Sequence, residues 1–198
     1  GNNLTPNEIR NWPNIDKINL LDKNSIYYGR PGCKEELNIL YRKMKIAFEK
    51  KGYFLEDNKL RVAKDIKKIL ILTSKNGDAI KDFYHCVEHN NLNLDDDFIN
   101  VSVQGNDCPN SICKIINSDE IYQNNYDMIV ITRGGGSFED LFGFGQKELI
   151  ESVYKCKIPI LSAVGHKQDT TLLDYVADYV APTPSLAAQF IVDHHKKY

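Results

Sequence analysis

No stretch of this 198-residue chain is apolar for long enough to span a bilayer, and its polar first residues do not read as a signal peptide. Cysteine is scarce and unpaired in pattern: Cys33, Cys86, Cys108, Cys113 and Cys156 are odd in number and contain no Cys-x-x-Cys. Such spacing predicts free thiols in a reducing compartment, so a soluble, cytoplasmic protein is expected. Net charge is also lacking. At -2 the chain sets up no long-range field for a polyanion, and a nucleic-acid partner would need a local basic patch. Neither the spaced glycine fingerprint of dinucleotide sites nor a Gly-Lys-Ser/Thr P-loop is present, which argues against nucleoside triphosphate chemistry.

What is present is a core-forming composition, 42% hydrophobic, sufficient for one domain with an appendage. The densest signal runs from Tyr126 to Leu141, where the apolar run Met128 to Ile131 stops at Arg133-Gly134-Gly135-Gly136-Ser137. A short β-branched run of this kind suits a strand buried on both faces of a parallel sheet. Three glycines then let the backbone turn and approach a ligand without a Cβ in the way. Ser137 is placed to cap a helix opening at Phe138, and Arg133 adds a permanent charge with a forked donor. Loop amides, helix start and guanidinium together predict a phosphate cradle.

Residues 1–34 are polar and read as an arm, with Trp12 expected to plug the core; residues 35–198 read as the α/β domain. From Glu35 to Lys51, Leu37, Leu40, Tyr41, Met44 and Phe48 recur at helical spacing opposite Arg42, Lys43, Lys45, Lys50 and Lys51. Strands are expected at 69–73, 98–103, 128–131 and 158–164, with helices at 78–88, 109–122, from 138, and 170–178. The alternation predicts a mostly parallel open sheet of four or more strands with helices on both faces. In such sheets ligands sit outside the carboxyl ends of the strands. Four polar loops leave those ends: Thr73 to Gly77, Gln104 to Asp107, Arg133 to Ser137 and Gly165 to Asp169.

Within those loops, His166 follows a glycine, and Asp169 is spaced either to orient its ring or to serve as the N-cap of the next helix. Asp82 lies in the early turns of its helix, where an acid also complements the dipole. His85 and His89 stand four residues apart without an evident third metal ligand, and His194-His195-Lys196-Lys197 reads as a solvated tail. Glu139 and Asp140 suit a helix start, and their spacing does not call for magnesium.

Several of these segments match a known family in order and spacing. Arg133-Gly-Gly-Gly-Ser-Phe-Glu-Asp-Leu141, Ile158 through Gly165-His166-Lys-Gln-Asp169, Asp174-Tyr-Val-Ala-Asp178 and Ala181-Pro-Thr-Pro-Ser185 resemble the catalytic domain of the exodeoxyribonuclease VII large subunit. Thr73 through Asp82 looks like that family's first strand and helix. The resemblance implies an exonuclease that hydrolyses single-stranded DNA to short oligonucleotides. Its catalytic set would be Asp82, Arg133, His166 and Asp169, with Gly134, Gly135, Gly136 and Ser137 on the phosphate and no divalent metal required. It also implies a small-subunit partner, whose docking helices would begin after Pro184, and an N-terminal OB-fold, for which residues 1–34 offer no counterpart. A trimmed core or a minimal member is therefore expected. Lys167-Gln168 replaces the usual Glu-Thr, and Gly145 replaces an asparagine. These departures keep two rivals in view. One is a module that binds single strands without cutting. The other is a small-nucleotide hydrolase of the glycine-loop type, whose Pro-Gly-Gly-x-Gly-Thr pattern the chain does not carry.

Overall fold

The computed structural model describes residues 33–62, 64–105, 107–135, 143–165 and 170–195. Five strands form one all-parallel sheet: β1 (Lys68–Thr73), β2 (Asp95–Asn100), β3 (Met128–Thr132), β4 (Ile160–Ala163) and β5 (Tyr179–Val180). Their spatial order is β2-β1-β3-β4-β5. The chain therefore starts in the middle, steps outward to β2, and returns across β1 to build the other half.

The sheet is sandwiched. Helices α1 (Cys33–Lys50), α3 (Cys108–Ile116), α4 (Glu120–Gln123), α5 (Lys147–Lys155) and α6 (Leu172–Val176) pack on one face. Helices α2 (Asp78–His89) and α7 (Pro184–Asp193) pack on the other. The period of two explains the split, because Leu70, Leu72, Ile129 and Ile131 face the first layer while Ile69, Ile71, Met128 and Val130 face the second. All these residues are fully buried, as their β-branched and leucine-rich runs predict.

Three boundaries differ from expectation. The second strand lies three residues earlier than predicted and begins with Asp95, Asp96 and Asp97. Three acids argue against a strand, but β2 is a sheet edge, where charge also discourages pairing with another chain. Two tyrosines hold the acids in place: Tyr84 donates its hydroxyl proton to Asp96, and Tyr126 donates to Asp97 at 2.6 Å. The single helix expected over 109–122 is two, interrupted at Asn117 to Asp119. The helix expected over 170–178 spans only Leu172–Val176, and its N-cap is Thr171 rather than Asp169.

His194 and His195 are not a solvated tail. The His194 ring stacks on Phe190 with centroids 4.1 Å apart and its Nδ1 meets the Phe190 carbonyl, while His195 Nδ1 lies 2.6 Å from the Ile66 carbonyl. Ile66 in turn donates its N–H to the His194 carbonyl at 2.8 Å. The end of α7 is thereby clipped to the segment entering β1. Helix α1 meets its expectation: Leu40, Met44 and Phe48 are buried, and Lys45 Nζ sits 4.4 Å from the centroid of the Tyr175 ring. The arm, Trp12 and the cap proposed at Ser137 lie outside the described residues, as do Phe138 to Phe142.

Candidate active site

A sheet whose order reverses leaves a gap at the reversal, because the loops from the two neighbouring strands turn away to opposite faces. Here that point lies between β1 and β3, whose following helices α2 and α5 pack on opposite sides. A cleft of about 590 Å³ opens there at the carboxyl edge, with walls from the loops after β1, β2 and β3. Arg133, Gly134 and Gly135 form one wall, Ser74, Asn76, Gly77 and Asp78 a second, and the 100–104 segment a third. Three of the four polar loops picked out by sequence thus meet at one opening.

Arg133 is 6% exposed. Its N–H donates to the Ala163 carbonyl at 3.2 Å, continuing the β3–β4 ladder, and its Nε donates to the Gly134 carbonyl at 3.1 Å. The guanidinium is therefore folded against the glycine loop, where low dielectric strengthens its field. Gly134 approaches the start of α2: a Cβ added there would sit 3.5 Å from the Ala79 nitrogen and 3.9 Å from the Asp78 nitrogen. The N-cap of α2 is Gly77, which supplies no side-chain hydrogen bond to the helix. The first amides of α2 are consequently open to a ligand beside the glycine loop. Sequence reasoning assigned the helix start to the segment after Ser137; the helix start that the described residues bring to the loop comes from β1's own helix, 56 positions earlier in the chain by residue number (134 against 78).

Asp78 lines the cleft, whereas Asp82 does not. Asp82 is exposed on α2, one turn further along the side that carries Asp78. Gly136, Ser137, His166 and Asp169 lie outside the described residues. Among the described residues, β4 pairs with β3 with Thr132 opposite Ala163, so Gly165 leaves the sheet at the same edge, one strand away from Arg133. Residues that sequence reasoning passed over are Asp78, Asn100 and Ser102. For Asn100 and Ser102 the signal was position at a strand end, hidden because the second strand was expected three residues too late; Asp78 was visible as the first residue of its helix.

The far side of the Gly165 loop is tightly held. Asp174 is buried; its carboxylate accepts the Ser162 hydroxyl at 2.7 Å and the Thr171 N–H at 2.8 Å, and the Asp174 N–H returns to Thr171 Oγ1, closing a capping box. Tyr41 of α1 donates to the Thr170 carbonyl at 2.5 Å. Burial raises the Tyr41 hydroxyl's pKa, with Tyr175 and Asp174 adding to it. Asp178 accepts the N–H groups of Leu60 and Ile160. The Asp174-Tyr-Val-Ala-Asp178 motif is therefore a pair of structural clips that fix β4 and its loop. Thr183 caps α7 through the Leu186 N–H, with Pro184 opening the helix. Gly145 packs so closely on Leu172 that a Cβ would meet its Cδ1 at 3.3 Å.

Burial raises the Asp174 carboxyl above its usual 3.8, against the lowering effect of its hydrogen bonds to Thr171 and Ser162. A carboxyl whose folded value is raised contributes stability that is present below the unfolded value and lost as pH rises through the folded one. Asp174→Asn removes that dependence and keeps the shape. The melting temperature of the variant relative to the native chain is expected to rise between pH 4 and pH 7, as measured by thermal denaturation at both. An unchanged difference would show that the buried carboxylate carries no such cost.

Among the described residues no three His, Cys, Asp or Glu side chains form a metal-holding group, and His85 and His89 are both exposed. Cys86, Cys108, Cys113 and Cys156 are free thiols, and no helix among the described residues is long and apolar enough to cross a membrane.

The cleft, the glycine loop and the two clips coincide with the segments that sequence similarity picks out. The family model described as "Exonuclease VII, large subunit" matches residues 53–198. The exodeoxyribonuclease 7 large subunit of Shewanella sediminis (strain HAW-EB3) is 42% identical over 149 residues, covering 75% of this chain and 33% of that protein. That of Thermoanaerobacter sp. (strain X514) is 35% identical over 190 residues, covering 92% of this chain and 46% of the relative. The corresponding protein of Clostridium kluyveri is 35% identical over 187 residues, with the same coverage of 92% and 46%. The chain spans between a third and a half of the length of these curated relatives. With a family model over nearly three quarters of its length and relatives 35–42% identical, the chain belongs to the exonuclease VII large-subunit family.

Proposed function

We propose that this chain carries the phosphodiester-hydrolysing centre of a single-stranded DNA exonuclease that releases short oligonucleotides. The observation that supports it most is the cleft at the β1/β3 reversal, where a buried arginine, a glycine loop and an open helix N-terminus adjoin. That is a site for a phosphate diester and its transition state. Arg133 with the amides of Gly134, Gly135, Gly136 and Ser137 holds the scissile phosphate and offsets the charge that builds on its oxygens as water attacks. A new P–O bond forms to water while the P–O bond to the leaving sugar oxygen breaks. His166, oriented by Asp169, moves one of the two protons involved, either from the water or to the leaving oxygen. Asp82 is proposed to position the water, although it stands one turn along α2 from Asp78 and does not itself line the cleft.

An end-labelled single-stranded oligonucleotide incubated with the pure protein tests the proposal. Short labelled products are expected. A shifted but uncut oligonucleotide would instead establish a binding module, the reading that Lys167-Gln168 keeps open. Release of base from a nucleoside monophosphate would establish the small-nucleotide hydrolase.

Because the cradle supplies its positive charge from Arg133 and backbone dipoles, cleavage is proposed to need no divalent metal. Activity is expected to persist in excess EDTA; loss that magnesium restores would overturn this. The relatives' printed name, large subunit, motivates the further proposal that a small subunit joins the complete protein, and free thiols with a DNA substrate favour the cytoplasm as its compartment.

A further inference from the structure

The phosphate cradle uses only one end of the cleft. Beyond it, the opening continues over the end of β1 to the segment that leaves β2, where Asn100, Ser102 and Gln104 face it together with Asn76 from the β1 loop. Its volume, about 590 Å³, lies within the range of roughly 300–1,000 Å³ typical of pockets that enclose a small ligand. That is more room than a phosphate alone needs.

The chemistry of this far end is selective. Among the described residues lining the cleft, Arg133 is the only cation and Asp78 the only acid. The far end is therefore neutral and does not suit a second phosphate, which would call for another cation or helix start. Among the described residues no aromatic ring lines it either, so those residues do not hold an entering base by ring stacking. What remains is a set of neutral groups that both donate and accept. A side-chain amide presents a carbonyl and an NH₂ side by side and turns over to match whichever edge it meets.

The wall is also held in place before any ligand arrives. Asn100 Oδ1 accepts the Lys75 N–H at 2.8 Å, tying the β2 exit to the β1 loop and leaving the Nδ2 protons as donors. The Ser102 N–H donates to Ser111 Oγ at 3.0 Å, fixing the segment to α3. Val101, buried beneath, joins the α3 side of the core and donates its N–H to the Thr73 carbonyl at 3.0 Å. A wall fixed in this way loses little freedom on binding.

We propose that this wall is a nucleoside subsite, which takes the sugar and base adjoining the phosphate in the Arg133 cradle, with the base unstacked and held by its edge through Asn76, Asn100 and Gln104. This deepens the reading of the cleft as a phosphodiesterase site and rests on it for the placement of the phosphate. Because the Asn76 and Gln104 amides turn over, while Asn100 is held and offers its Nδ2 protons, the subsite senses that a base is present rather than which base it is.

Two measurements on the full chain test it. In the first, single-stranded oligonucleotides carrying one abasic residue at successive positions are digested. The native protein is expected to cut the bond beside the abasic residue about tenfold more slowly in kcat/KM than the same bond in an intact strand. Gln104→Ala, at an exposed position, and the double variant Asn100→Ala/Gln104→Ala are expected to cut intact strands more slowly through a raised KM, and to lose that discrimination. In the second, binding of deoxythymidine 5′-monophosphate and deoxyribose 5-phosphate is compared by calorimetry, without any need for turnover. The native protein is expected to prefer the nucleotide by about tenfold, and the variants to bind both alike. Equal binding of the two by the native protein, or a preference that survives in the folded variants, overturns the subsite. If the nucleotide preference behaves as expected while no strand is cut, the hydrolase reading falls and the subsite stands.

Discussion

Arg133→Ala is expected to lower cleavage of single-stranded DNA by about two to three orders of magnitude, the scale of losing one preorganised donor to a developing oxyanion. The expectation comes from placement. Arg133 is almost fully buried, its main chain is locked into the ladder by the Ala163 carbonyl, and its Nε is committed to the Gly134 carbonyl, so the guanidinium field is fixed beside the loop. A buried arginine also takes part in packing, and the alanine variant is expected to melt lower. Arg133→Lys separates the two effects, since it keeps the charge and most of the stem but loses the planar fork. Its cleavage rate should fall between those of the native chain and the alanine variant, with a melting temperature near native. Single-turnover rates with saturating oligonucleotide are the measurement. A folded Arg133→Ala chain that cuts at the native rate would remove the guanidinium from the mechanism.

His166→Ala is expected to have the larger effect, about two to four orders of magnitude in kcat, because in the proposed mechanism it removes the proton-transfer group rather than one of several charge-stabilising donors. Its loop leaves the sheet at Gly165, one strand over from Arg133, and is secured beyond by Tyr41 on the Thr170 carbonyl and by the Thr171–Asp174 box. The pH profile discriminates chemistry from positioning. A proton-transfer histidine contributes a limb in the neutral range that disappears in the alanine variant, whereas a histidine that only packs changes the rate equally at every pH. Retention of that limb in His166→Ala would assign the titration to another group. Binding of an uncut strand should change little, since the phosphate is proposed to be held by the Arg133 cradle.

Asp82 and Asp78 show where linear reading stops. Both are visible as acids in one helix, and resemblance selects Asp82; only the folded chain shows that Asp78 lines the cleft while Asp82, a turn further on, does not. The two clips of the Asp174-Tyr-Val-Ala-Asp178 motif are similar. Nothing in their spacing tells that one carboxylate accepts a serine on β4 and the other an N–H at Leu60, 118 positions away. His194 and His195 looked solvated because their partners, Phe190 apart, come from the other end of the domain.

The sequence by itself determined the layers of this protein. The apolar runs of β1 and β3 and the largely apolar β4 require a sheet covered on both faces, and the intervening amphipathic helices require the strands to be parallel. It also marked the glycine loop, because an arginine followed by three glycines at a strand end has few purely structural uses. The order β2-β1-β3-β4-β5 was decided only by the tertiary structure, since any permutation buries the same runs and local periodicity carries no information about which strands are neighbours. That order opens the cleft between β1 and β3, brings the start of α2 against Gly134, and converts an acidic segment into a workable edge strand, because each depends on contacts between residues that are distant along the chain.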